Sequence, residues 1–71
     1  MNVYILYYHN RYEDAYFEGI YSSEEAAMKR VISIQDSTKN YYHNGEWSLV
    51  YPNAWENSDD RLYIQNYVVL D

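Results

Sequence analysis

The chain has 71 residues, with 11 Asp and Glu against 5 Lys and Arg, a formal net charge of −6, no cysteine and 11 tyrosines. That length allows one domain, residues 1–71, whose folding removes only about 60% of the chain's surface from water, with no disulfide or zinc-type Cys/His cluster to reinforce it. The charge excludes phosphate backbones and anionic membranes as ligands, because counterion release needs clustered Lys and Arg, and favours a protein partner with a basic surface.

Val3-Tyr4-Ile5-Leu6-Tyr7-Tyr8 is β-branched, aliphatic or aromatic at every position and reads as a central strand. As the longest apolar run it is far short of the roughly 20 residues that span a bilayer, and no basic n-region marks a signal peptide. His9 to Asp14 is a polar connection. Ala15 to Tyr21 resumes the strand pattern, with Phe17 and Tyr21 on one face and Tyr16, Glu18 and Ile20 on the other, which predicts an antiparallel hairpin. Gly19 inside that strand predicts a bulge or the close approach of another element, for which the following helix is the candidate.

Ser22-Ser23-Glu24-Glu25 fits an S-x-x-E capping box with Ser22 as the cap. From there to about Asp36, Ala27, Val31 and Ile34 share one helix face with Met28 and Ile32 beside them. Glu25, Lys29, Arg30 and Ser33 point to water, and Glu25 and Lys29 form a favourable i,i+4 pair. Asn44-Gly45 between aromatic runs predicts a two-residue hairpin turn in which Tyr42 opposes Trp47. A strand from Trp47 to Tyr51 stops at Pro52. Asn53 to Asp60 is a polar loop apart from Ala54 and Trp55, and Arg61 to Leu70 is the last strand, with Leu62, Ile64, Val68 and Leu70 alternating against Tyr63, Gln65, Tyr67 and Val69.

The fold expected is α+β: a ββαββ chain whose four-stranded antiparallel sheet carries one helix packed on one face, with room for a short extra strand before Asn44. Val3, Ile5, Phe17, Ala27, Val31, Ile34, Trp47, Leu49, Leu62 and Ile64 are the expected core. One helix covers one sheet face, so the other is expected to expose Tyr4, Leu6, Tyr8, Tyr16 and Tyr67. That is more aromatic surface than a monomer ordinarily shows, and it predicts a homodimer or a bound partner.

The strand Val3-Tyr4-Ile5-Leu6-Tyr7-Tyr8 and the segment Gly19-Ile20-Tyr21-Ser22-Ser23-Glu24-Glu25-Ala26-Ala27, with a Trp-containing second half, resemble small uncharacterised bacterial and phage domains. In those domains a "vYlLyh…GiYSseeeA" pattern opens a strand-strand-helix unit, and the likeness covers about the first half of this chain. It supports the fold, implies no established activity, and with the Asn/Tyr-rich composition and small size suggests a phage or mobile-element origin. The tyrosine load and sparse lysines depart from the pattern.

No residue set here carries catalysis, a metal or an organic cofactor. His9 and His43 belong to no ligand motif, and Glu24-Glu25 sit where a helix dipole favours anions. Glu56-Asn57-Ser58-Asp59-Asp60 lacks the glycine and spacing of a calcium loop, and Ser22 and Ser23 serve as caps rather than nucleophiles. Tyrosines on strands can stack nucleic-acid bases, but those sheets need a basic surround, which is missing. The chemistry left is recognition. Tyr8, Tyr16 and Trp55 are the expected anchors, and Glu13, Asp14, Glu24, Glu25, Asp59 and Asp60 the expected charges. The expectation is a non-enzymatic protein-binding module, a small phage-type inhibitor or adaptor that blocks a host defence or nucleic-acid-handling protein in the host cytoplasm. The alternative is a small structural or oligomerising protein of a phage or mobile element.

Overall fold

A computed structural model describes residues 1–10, 15–38 and 46–70, with only the backbone described at 16 and 38. The elements run β1 (Asn2–Asn10), β2 (Tyr16–Tyr21), α1 (Glu24–Thr38), β3 (Ser48–Tyr51), β4 (Ala54–Glu56) and β5 (Asp60–Val68). The strands form one five-stranded antiparallel sheet in the order β2-β1-β5-β4-β3. The first and last strands are therefore neighbours at its centre, paired from Asn2↔Val68 to Asn10↔Asp60.

The α+β class and the single helix agree with the sequence reading, while the sheet has five strands rather than four. The extra strand is β4, inside the stretch read as a loop. Pro52 ends β3 at Tyr51, as the sequence predicts, and with Asn53 it forms the two-residue turn that joins β3 to β4, with Tyr51 paired to Ala54. Asn53 takes a left-handed φ of 66°, and Pro followed by Asn is the pair that a type II turn asks for. The predicted Tyr42–Trp47 hairpin falls partly on residues 39–45, outside the described residues.

Helix α1 starts one residue later than the capping box implied. Ser23, not Ser22, is the cap: its Oγ accepts from the Ala26 amide at 3.1 Å, so Glu24 and Glu25 occupy the first turn. Lys29 and Glu25 make the expected pair at 4.0 Å, but both side chains are so exposed that it adds little.

The largest correction concerns β1. The helix-covered core consists of Leu6, Ala27, Val31, Ile34, Leu62 and Ile64, with Tyr4, Tyr8, Tyr21, Met28, Trp47 and Trp55 packed around it. Ala27, Val31, Ile34, Leu62 and Ile64 were expected there and Trp47 joins their margin. Tyr4, Leu6 and Tyr8 were expected on the uncovered face and instead point to the helix, which turns Val3 and Ile5 to the other side. A strand that is apolar at every position carries no alternation from which to choose a side.

Phe17 also leaves the expected core and is 56% exposed. The cause is a bulge: Leu6 pairs with Gly19 but Tyr7 pairs with Phe17, so Glu18 is an extra residue that reverses the faces on either side of it. Tyr21 consequently faces inward while Phe17 faces out. The bulge at Gly19 was anticipated, but the close neighbour is the Tyr21 ring rather than the helix: a Cβ on Gly19 would lie 2.8 Å from the Tyr21 hydroxyl oxygen. Glu18 reaches the helix instead, taking a 3.0 Å ion pair from Arg30. Leu49, the remaining misplaced core residue, sits on edge strand β3 and is 65% exposed. Helix α1 lies over β2 and β1, and the two tryptophans extend the cover only as far as β4.

The reversed face of β1 has a measurable consequence. Leu6→Ala is expected to cost about 2–5 kcal/mol in urea unfolding, as for a fully buried leucine, and Ile5→Ala only about 1 kcal/mol. The reverse ranking would restore the orientation expected from the sequence.

Candidate functional site

The uncovered face is built by cross-strand pairs. One row crosses the whole sheet: Phe17 beside Tyr7, Tyr7 beside Tyr63, Tyr63 beside Ala54, and Ala54 beside Tyr51. Ile20, Ile5 and Gln65 form the next row on one side, followed by Val3 and Tyr67. His9, Arg61, Glu56 and Ser48 form the row on the other side. Alternation along the antiparallel strands, shifted by the bulge at Glu18 and by the irregularity between Leu49 and Tyr51, places these residues together.

Within the long row, Tyr7 and Tyr63 stack with ring centroids 5.0 Å apart and planes 21° from parallel, and the Arg61 guanidinium lies 5.6 Å from the Tyr63 centroid. The Tyr67 hydroxyl donates to Gln65 Oε1 at 2.5 Å. A hydrogen bond with Tyr67 raises the Tyr7 pKa above the ordinary tyrosine value, with desolvation and the nearby Tyr67 and Tyr63 hydroxyls adding to the effect. Tyr7 thus bonds to Tyr67 through its hydroxyl and stacks its ring on Tyr63. Ala54, small and buried between Tyr63 and Tyr51, leaves a notch in the row. A cavity of about 520 Å³ opens there, walled by Tyr51, Pro52, Tyr63, His9 and Arg61.

Few of the described residues bring charge to this face. Among the described residues its ionised groups are Arg61 and Glu56, which face each other at 3.7 Å and cancel. Glu24, Glu25 and Asp36 lie on the helix, behind the sheet, and Glu18 is drawn to Arg30 on the same side.

Among the described residues, those expected to bind a partner are not gathered into one patch by the fold. Tyr8 and Asp60 do meet, but inside it: Asp60 is only 7% exposed, and its two oxygens accept from the Tyr8 hydroxyl at 2.6 Å and from Asn10 Nδ2 at 2.7 Å. Asp59 lies in the β4–β5 turn, where Asn57 Oδ1 accepts from the backbone amides of Asp59 and Asp60 at 3.0 and 2.7 Å. Trp55 pairs with Leu62 and packs on the core from the helix side. Glu24 and Glu25 are exposed at the start of α1. Tyr16 pairs with Tyr8 through its backbone, its side chain being undescribed, and Glu13 and Asp14 lie outside the described residues. Tyr7, Tyr63, Phe17, Tyr51 and Ala54, which make the aromatic row, were not singled out as a site. The clear alternation of β5 was the signal available: once β1 is paired with β5, the parity of Leu62 and Ile64 fixes that of Tyr7.

The family described as Domain of unknown function (DUF7336) matches residues 1–62. The chain belongs to that family. The match takes in β1, β2, the helix and the two short strands, and ends at Leu62, within β5. No curated protein and no solved structure matches the chain. Among the described residues, no group of three or more His, Asp or Glu side chains stands close enough to hold a metal ion, and no helix is long and apolar enough to cross a membrane.

The inward carboxylate is expected to serve the fold. Asp60→Ala, which removes the acceptor shared by Tyr8 and Asn10, should cost about 1–3 kcal/mol in urea unfolding. Glu24→Gln at the exposed start of the helix should stay within about 1 kcal/mol. Equal effects would contradict the structural role of Asp60.

Proposed function

We propose that this domain is a non-enzymatic protein-binding module that docks through the uncovered sheet face, of the inhibitor or adaptor type and of phage or mobile-element origin, working in the cytoplasm of the host cell. The observation that carries the reading is the aromatic row from Phe17 to Tyr51, neutral and continuous over five strands, with a notch at Ala54. Interfaces are enriched in tyrosine and depleted of charge at their centres, and their strongest contacts are aromatic side chains seated in pockets. The notch is such a pocket and the rings beside it are such anchors.

The acidic residues have a second part in this proposal. Among the described residues the acidic side chains other than Glu56 stand off the docking face, so the net charge of −6 steers the domain toward a basic partner over long range with little charge buried in the contact. Steering raises the association rate and fades with salt, whereas the aromatic contacts govern dissociation. A host nucleic-acid-handling or defence protein offers the basic surface this calls for. A structural or oligomerising role would draw on the same face.

The test is affinity capture from host lysate, followed by binding kinetics on the captured protein. Tyr7→Asp and Phe17→Asp should abolish capture at any salt concentration. Glu24→Lys with Glu25→Lys should slow association several-fold at low salt and leave dissociation unchanged. Capture that survives both aromatic substitutions would refute docking through this face, and charge reversal without effect on association would refute the steering.

A further inference from the structure

We infer that the cavity beside Ala54 takes the C-terminal aromatic residue of a protein partner, its ring seated between Tyr63 and Tyr51 and its terminal carboxylate on Arg61. The inference rests on the reading of the uncovered face as a docking surface and names what enters it. Three observations lead to it.

The first is the spacing of the rings. Tyr7 and Tyr63, on neighbouring strands, stand nearly face to face with centroids 5.0 Å apart. Strands recur about every 4.8 Å, so the series continues with Ala54 at the next position and Tyr51 at the one after. Ala54 is the step at which a ring is missing. The cavity of about 520 Å³ opens at that step, within the range of roughly 300–1,000 Å³ typical of sites for small organic groups. A planar ring placed there has an aromatic neighbour on each side and Pro52 at its edge, which favours it over an aliphatic chain.

The second is charge. Among the described residues no Asp or Glu lines this cavity, whereas Arg61 and His9 both do. On a chain of net charge −6 that is a local reversal of sign, and it selects an anionic group beside the ring. The Arg61 guanidinium lies 5.6 Å from the Tyr63 centroid, so the place for the anion adjoins the place for the ring. A terminal aromatic residue carries both groups together.

The third is an unmet hydrogen bond. Arg61 Nε is buried with no acceptor among the described residues: Glu56 Oε1 stands 3.7 Å away, close enough to balance charge but beyond hydrogen-bond reach. The Arg61 side chain as a whole is 40% exposed, so the guanidinium is not sealed in. A carboxylate in the cavity can accept two parallel N–H bonds from it, the pairing that Glu56 does not make. A chain terminus is favoured over a free aromatic acid because the residues before it can lie along the aromatic row. They would cover Tyr7 and Phe17, which a small molecule leaves in water.

Titration of the isotope-labelled chain with the peptide acetyl-Ala-Leu-Ala-Phe, followed by amide NMR shifts, tests the assignment. With a free terminal carboxylate the peptide should give saturable shifts at Ala54, Arg61 and Tyr63. Its C-terminal amide and its leucine-ended counterpart should each bind roughly tenfold more weakly. Arg61→Gln and Tyr51→Ser, neither in the helix-side core, should weaken binding by a similar factor, and Glu56→Gln, which removes the competing carboxylate, should tighten it several-fold. Binding that ignores the carboxylate, or that Glu56→Gln weakens, overturns the inference. N-acetylphenylalanine bound as tightly as the peptide overturns the chain terminus as occupant. If no peptide binds while Tyr7→Asp still abolishes partner capture, only the C-terminal assignment fails. Capture that survives Tyr7→Asp, with peptide binding intact, removes the docking reading and leaves the ligand of the cavity as assigned.

Discussion

The nine-residue pairing of β1 with β5 is the constraint on which the rest of the structure depends. It joins the two ends of the sequence at the centre of the sheet, and its register decides which side of each strand meets the helix. Leu6 beside Ile64 and Tyr8 beside Leu62 form the floor on which Ala27, Val31 and Ile34 rest. A slip of one residue would send Leu6 and both tyrosines to water and bring Tyr7 under the helix. Asp60 opposes such a slip, because its carboxylate is held at once by Tyr8 and Asn10, and the Asn57 turn that precedes it fixes where β5 begins. A polar group at the edge of a small core thus sets the alignment of apolar residues that could pack either way.

Economy explains the shape of the cover. One helix of fifteen residues lies over β2 and β1, and two tryptophans reach toward β4, leaving edge strand β3 open on both faces. The bulge at Glu18 lets a single edge strand serve two purposes: Tyr21 closes the core over Gly19 while Phe17 joins the aromatic row outside. Glu18 itself is not wasted in the bulge, since its ion pair with Arg30 ties the edge strand to the helix.

The same division of faces bears on function. Tyrosines of the helix side lend their rings to the core, whereas on the other side Tyr7 bonds to Tyr67 and stacks on Tyr63. Association through that face removes apolar surface from water without burying unpaired charge, which is the most favourable arrangement open to a small acidic protein.

What the sequence by itself determined was local: the helix over Ala27, Val31 and Ile34 and, to within one residue, its serine cap, the alternation of Leu62 and Ile64, the irregularity at Gly19, and an acidic, tyrosine-rich composition. Each is written in neighbours a few residues apart, where periodicity and turn chemistry act. The orientation of β1, the strand status of Ala54 to Glu56, the inward turn of Asp60 and the membership of the aromatic row were settled only by the tertiary structure. Val3 to Tyr8 satisfies either orientation equally well in isolation, and Pro52-Asn53 becomes a hairpin turn only when β5 offers β4 an edge to join. The uncovered face follows from one helix on one sheet, and Tyr67 lies on it as expected, whereas Tyr4, Leu6 and Tyr8 face the helix. Its side was chosen by a strand some sixty residues away, through pairing that no local pattern encodes.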